Sequence, residues 1–274
     1  MKIVTDSRTA DAYIAGEDMG RFSDEWYFRA SSVARDLGRN IFTQPPEDDA
    51  SREAVRILRD GMSRAIDTFE PLNRPIWDAL FPGWQSAEPH IDLIVGMPDP
   101  YEAVTEYDEE GRVHIIFDLL LWNKYSGIDI ASVIRNLLTH EITHLLIGSS
   151  HGRIDDALQN GSYAERMDAN TFHEGFAHLL SYGSTEITEV NWHDERLERA
   201  YSSGKVRMRA ALAETDAEKQ NKYLLDAVCG SYYEKFACMC GMMYLAECWE
   251  RDGVEGLKRQ SENWHGFAAA TLEG

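Results

Sequence analysis

The stretch Ile130-Ala131-Ser132-Val133-Ile134-Arg135-Asn136-Leu137-Leu138-Thr139-His140-Glu141-Ile142-Thr143-His144-Leu145-Leu146-Ile147 decides how the chain folds. Its apolar residues Ile130, Val133, Ile134, Leu137, Leu138, Leu145 and Leu146 recur at three and four, the period of a helix with one buried face. Asp129 is a good N-cap before it, and Gly148 a good stop after it. His140 and His144 lie four apart, so their Cβ atoms sit about 5–6 Å apart on one face. Two imidazoles so placed can reach one metal ion. Glu141 stands about 100° round the helix from His140. It leans over the same site without ligating, where it can act on a water. The pattern H-E-x-x-H is short, so its surroundings must carry the reading.

Working upstream, Ile91 to Val95 and Ala103 to Tyr107 read as strands, and Asp108-Glu109-Glu110-Gly111 as a turn. Arg112 to Leu121 reads as a third strand, rich in Val113, Ile115, Ile116 and Phe117, and Ser126-Gly127 breaks it. Further back, residues 1–20 read as irregular or weakly paired. Ser23 or Asp24 caps a helix ending near Gly38, and Asp48 or Asp49 opens another. The apolar residues of that second helix are Val55, Leu58, Met62, Ile66 and Phe69. A short helical turn follows at Ile76 to Phe81. Trp26, Tyr27, Trp77 and Trp84 read as core residues. The expected divisions are a helical lobe over 1–88, a core with sheet and motif helix over 89–182, and a helical subdomain over 183–274.

The order strand, break, H-E-x-x-H helix resembles the zincin metallopeptidases. The resemblance implies an α+β, mostly helical fold with a small mixed sheet packed beside the motif helix. It also implies that one edge strand pairs with an extended peptide. Arg112 to Leu120 is the candidate edge, and an ordinary inner strand is the alternative. Downstream, a helix reads Phe172-His173-Glu174-Gly175-Phe176-Ala177-His178-Leu179-Leu180, with Asn170-Thr171 as its cap. Glu174-Gly175-Phe176-Ala177 resembles the E-G-x-A signature of the gluzincin branch, shared by several bacterial zinc proteases. That resemblance implies Glu174 as third ligand to Zn2+, beside His140 and His144. Gly175 would then let this helix approach the motif helix closely.

The sequence departs from the branch at one point. Gluzincins often place an acid four residues after the ligand Glu, to orient a metal-binding His. Here that position is His178, which either orients a ligand, ligates, or sits in the core. The metzincin branch offers His151 instead, but Gly148 and His151 are displaced by one residue from its pattern. Asp155, Asp156 and Asp168 are candidate supporting carboxylates, and nothing in the sequence selects one. Peptide deformylases add an upstream cysteine ligand, and this chain has none before Cys229.

In the last third, Arg196 to Leu212 and Glu218 to Val228 read as helices, as does the apolar run to Trp249 that stops at Gly253. The entry Gly230-Ser231-Tyr232-Tyr233 resembles the place from which gluzincins bring a Tyr or His to the developing oxyanion. Tyr232 and Tyr233 are the candidates, with a core role as the alternative. Cys229, Cys238, Cys240 and Cys248 crowd one segment and read as buried thiols, since C-x-C on a helix points its side chains apart.

Charge narrows the partners. With 27 Lys and Arg against 47 Asp and Glu, the net charge is −20. Such a field repels nucleic acid and anionic membrane surfaces. Without a basic-flanked apolar run near the N-terminus, or a spread of paired cysteines, a cytoplasmic location is expected. Together these readings predict a zinc metallopeptidase acting on a peptide or protein substrate, with Glu141 as general base. The alternatives are a zinc-binding protein of the same fold without turnover, and a metal-dependent amidohydrolase on a non-peptide substrate.

Overall fold

The computed structural model describes residues 1–125, 127 and 129–273. Ser126, expected to break the third strand, lies outside them. The chain is mostly helical, at 64%, with one small mixed sheet. In order, the elements are β1 Val4–Asp6, α1 Arg8–Ile14, α2 Trp26–Arg29, α3 Ser32–Leu37, α4 Asp49–Asp67, α5 Arg74–Leu80, β2 His90–Ile94, β3 Ala103–Tyr107 and β4 Val113–Asp118. Then follow α6 Leu119–Trp122, α7 Ile130–Ser150, α8 Ile154–Asn160, α9 Tyr163–Ser181, α10 Glu195–Ala213, α11 Ala217–Val228, α12 Phe236–Ser261 and α13 Phe267–Ala270. No helix among the described residues is long and apolar enough to cross a membrane.

The contacts group into two compact units. One holds residues 1–70 and 85–135, the other 71–84 and 136–274. The division runs through α7, so the motif itself belongs wholly to the second unit.

The first unit carries the four-stranded sheet, in the order β1-β2-β4-β3. β1 and β2 pair parallel, as do β2 and β4, while β3 runs antiparallel to β4. Of the two readings of residues 1–20, weak pairing is the one found at their start: Val4, Thr5 and Asp6 find His90, Ile91 and Asp92 as partners. Three residues are too few to declare a strand until a neighbour supplies the ladder. The expected edge strand is also corrected. β4 is interior, hydrogen-bonded on both sides, so no extended peptide can add to it. It ends earlier than its apolar run suggests, because the Asp118 side chain accepts from the backbone N–H of Leu120 and Leu121 and starts α6. The other Asp118 oxygen accepts from Gly96 and Met97, both at 2.7 Å.

Tyr27, Phe28, Val33, Ile41, Ile94, Met97 and Ile116 form a core cluster of this unit. The single helix expected up to Gly38 is split into α2 and α3 by Ser31, which caps α3 through Ala34 N. Gly38 ends α3 at φ 63°, the left-handed conformation that favours glycine. Asp48 caps α4 by accepting from Ser51 N, and Val55, Leu58, Met62 and Ile66 are buried.

In the second unit α9 packs against α12, α8, α11 and α13, and α12 also meets α10 and α5. Two boundaries differ from the sequence expectation. α9 starts at Tyr163, well before Asn170-Thr171, because Ser162 and Glu165 form a reciprocal capping box. α7 runs through Gly148 to Ser150. Gly148 therefore does not end the helix, and its open side faces the Asp155 carboxylate. At Gly253 the backbone does leave the helix, at φ 60° and ψ −147°, before helical turns resume.

Candidate metal centre

α7 and α9 supply the centre. His140 and His144 lie one turn apart on α7, and their Nε2 atoms stand 3.1 Å apart. Glu174, on α9, brings Oε1 to 3.6 Å from His144 Nε2 and Oε2 to 3.9 Å from His140 Nε2. Four ligands at about 2.0–2.1 Å around a tetrahedral zinc would be separated by about 3.4 Å. His144 meets Oε1 and His140 meets Oε2, so the carboxylate spans the two imidazoles at close to that spacing. Two nitrogens and one carboxylate oxygen are a donor set suited to zinc.

His178, one turn after Glu174, is a fourth neighbour. Its Nε2 lies 3.3 Å from Glu174 Oε2, and its ring centre 4.7 Å from that of His140. Ligand atoms of His140, Glu174 and His178 all fall within 4.8 Å of one another. His178 thus stands at the centre beside Glu174 and His140, and the His144 ring has a different support. His151 stays away from the centre: its Nε2 donates to the Ser261 carbonyl at 2.5 Å. Of the three candidate aspartates, Asp168 accepts from Gly266 N and Ala268 N, and Asp156 from the Asn160 amide. Only Asp155 approaches the centre, with Oδ1 3.5 Å from His173 Nε2.

Protonation favours cation binding. Burial, followed by the neighbouring His178 and His144, holds His140 well below the ordinary histidine range. Burial, then His144, pushes His173 down to about 3. Burial works to raise the Glu174 carboxyl, but contact with His178 and the surrounding imidazoles outweigh it and hold the carboxyl well below its usual range. A neutral His140 beside an ionised Glu174 is the state a metal requires of these two ligands. The Cys238 thiol, raised well above its ordinary value by burial, donates to Glu174 Oε2 at 3.5 Å. Cys240, two residues on, packs elsewhere, toward Gly204. Cys238, Cys240 and Cys248 are buried and Cys229 is exposed.

A cleft of about 590 Å³ opens beside the histidines, lined in part by His140, Glu141, His178, Tyr232, Tyr233 and Lys235. Tyr232 is 37% exposed and sets its ring 5.1 Å from His178. Burial around its hydroxyl, then the neighbouring Tyr182, raises that phenol above its ordinary value, so it remains a proton donor. The Tyr233 hydroxyl lies 3.2 Å from that of Tyr182, and the Arg196 guanidinium sits 3.8 Å over its ring. Both tyrosines therefore face the cleft.

The expectation for Gly175 is corrected. It does make a close helix crossing, but with Gly241 on α12 and not with α7. Sequence reasoning also missed His173, Ser181 and Cys238. His173 adjoins Glu174, and Ser181 lies two turns beyond it, so both were legible as neighbours on α9. Cys238 reaches Glu174 from another helix and left no local signal. The chain matches no model of a known protein family, no curated protein and no solved structure.

Proposed function

We propose that this protein is a zinc-dependent metallopeptidase of gluzincin type, with a zincin-like fold, hydrolysing peptide bonds in a peptide or protein substrate. The observation that carries the reading is the convergence of three side chains: His140 Nε2 and His144 Nε2 stand 3.1 Å apart, and the Glu174 carboxylate meets them with Oε2 at 3.9 Å and Oε1 at 3.6 Å respectively. These three residues would hold the ion. When bound, zinc supplies Lewis-acid activation of water and of the scissile carbonyl.

The chain's own residues do the rest. Glu141 follows His140 and faces the cleft. As general base it takes the proton from the attacking water and passes it to the leaving amine nitrogen. Tyr232 or Tyr233 donates a hydrogen bond to the oxygen on which negative charge develops. Lys235 adds a positive charge to the cleft, in a chain whose net charge is −20.

A second reading rests on His178. A fourth protein ligand would close the coordination shell, as in structural zinc sites, and leave a zinc-binding protein without turnover. One experiment separates the two. Purified protein, its zinc-stripped form and the re-zincked form are assayed on a peptide library, alongside Glu141→Gln. The peptidase reading expects zinc-dependent cleavage, with Glu141→Gln retaining zinc and losing about 10²–10⁴-fold in rate. Cleavage that persists in Glu141→Gln overturns the mechanism. Zinc uptake without cleavage of any peptide favours the closed site.

A further inference from the structure

Each imidazole on α7 uses one nitrogen at the centre and turns the other away. For His140 the outer nitrogen, Nδ1, lies 3.4 Å from Ser181 Oγ, whose own proton goes to the Ala177 carbonyl at 2.8 Å. The Nε2 atoms of His140 and His144 stand 3.1 Å apart, so without a cation only one of the two carries hydrogen. For His144 the outer nitrogen lies 3.2 Å from Nδ1 of a second histidine, His173. Two facing imidazole nitrogens make a hydrogen bond only if one is protonated and the other is not.

We infer that Asp155 and His173 are positioning residues for His144, forming an Asp155–His173–His144 relay that fixes its tautomer so that Nε2 is left unprotonated for a cation. The inference rests on the proposed role of His144 as a ligand through Nε2. The direction of the relay follows from its far end. Asp155 Oδ1 lies 3.5 Å from His173 Nε2, and a carboxylate at that distance attracts an N–H and repels a lone pair, which favours hydrogen on Nε2. That nitrogen is buried and has no aligned partner among the described residues. With hydrogen on Nε2, neutral His173 offers a lone pair at Nδ1. His144 must then donate from its own Nδ1, and its Nε2 is free. Ligating histidines commonly give their second N–H to a carboxylate or carbonyl, which sets ring orientation. Here an imidazole stands between the ligand and the carboxylate.

Two features of the fold serve this arrangement. His173 is buried and directly precedes Glu174, so one step of α9 presents a group to each nitrogen of His144. Gly148 lies one turn beyond His144 on α7. A Cβ there would stand 3.0 Å from Asp155 Cγ and collide with Oδ2. The missing side chain is the space the carboxylate occupies, which explains a glycine inside a helix.

The test uses the full-length protein. Zinc affinity is measured by competition with a chromophoric chelator for wild type, Asp155→Asn, His173→Leu, His173→Gln and Gly148→Ala. Folding of each is checked by circular dichroism. Imidazole tautomers are read by ¹H–¹⁵N NMR on zinc-free wild type and on His173→Leu. The relay expects about 10–100-fold weaker zinc binding in Asp155→Asn and His173→Leu. It expects a smaller loss in Gly148→Ala, which displaces the carboxylate. His173→Gln should recover most of the affinity, because its side-chain carbonyl still accepts from His144 Nδ1. Wild-type His144 should carry hydrogen on Nδ1, and that preference should weaken in His173→Leu. Unchanged affinities in folded Asp155→Asn and His173→Leu overturn the relay, as does an Nε2–H tautomer at His144. Wild-type protein that takes up no zinc ends the peptidase reading, while the tautomer measurement still decides the relay.

Discussion

Gly175 and Gly241 meet backbone against backbone where α9 crosses α12. A Cβ on Gly241 would lie 2.7 Å from the Cα of Gly175, and one on Gly175 would lie 2.9 Å from the Cα of Gly241. The obstructing atoms are main chain, so neither contact can be relieved by turning a side chain. Glu174 is the residue next to this crossing, and the crossing therefore sets where its carboxylate stands relative to His140 and His144.

Substituting either glycine should force the helices apart. Gly241→Ala is expected to cost about 1–3 kcal/mol in denaturant unfolding, as overpacking does in tight cores. It should also weaken zinc binding, because Glu174 moves with α9. Gly152→Ala is the control, since a Cβ at Gly152 meets nothing within 4 Å. That variant should stay within about 0.5 kcal/mol of wild type. An unchanged Gly241→Ala would mean that the crossing is looser than this contact.

Zinc should stabilise the folded chain through the three proposed ligands. A ligand that binds only the folded state, at a thousandfold excess over its Kd, adds about 4 kcal/mol. Thermal melts with and without zinc are expected to show this upward shift in wild-type protein. His140→Ala, His144→Ala and Glu174→Ala should lose it. His151→Ala should retain it, even if its baseline melting temperature falls, because His151 bonds to the Ser261 carbonyl and not to the centre. A shift that survives Glu174→Ala but vanishes in His151→Ala would reverse the choice of third ligand.

In the first unit, His114 should make stability depend on pH. Its Nδ1 lies 2.6 Å from Asp92 Oδ2 and its Nε2 3.2 Å from Asp108 Oδ2. Burial works to lower its pKa, but these two carboxylates outweigh burial and raise it. A histidine with a raised folded pKa adds stability that is complete below its unfolded value, about 6.5. That stability is lost as pH rises through the folded value. Neighbouring His90 is shifted down, by burial and then by His114, so its effect falls below about 6.5. The expected outcome is a decline in stability as pH rises above about 6.5. Hydrogen exchange in β2 and β4 should report it, and His114→Gln should flatten it. An equal slope in that variant would assign the effect to another group.

Much of the local structure was legible in the sequence. The spacing of Val55, Leu58, Met62 and Ile66 gave α4 and its buried face, and of the two candidates Asp48 and Asp49 the structure makes Asp48 the cap. The run Ala103–Tyr107 gave β3 without error. The H-E-x-x-H spacing put two imidazoles on one face of α7, and the E-G-x-A resemblance pointed to Glu174 on a later helix. The failures share one character. An apolar run cannot say whether its strand is an edge or an inner one, because that depends on which strands pair with it, here β2 on one side and β3 on the other. Gly148 looked like a helix stop because a glycine's local meaning is freedom of the backbone, while its role in α7 is the room it leaves for Asp155.

The sequence by itself determined which residues share a helix face, because the period of the helix is a local property of the backbone. That was enough to pair His140 with His144. Only the tertiary structure decided that Glu174 faces them from α9, that Gly175 meets Gly241, and that Asp155 reaches His144 through His173. Those are contacts between segments distant in the chain. They are fixed by how whole helices pack, which no single window of residues encodes.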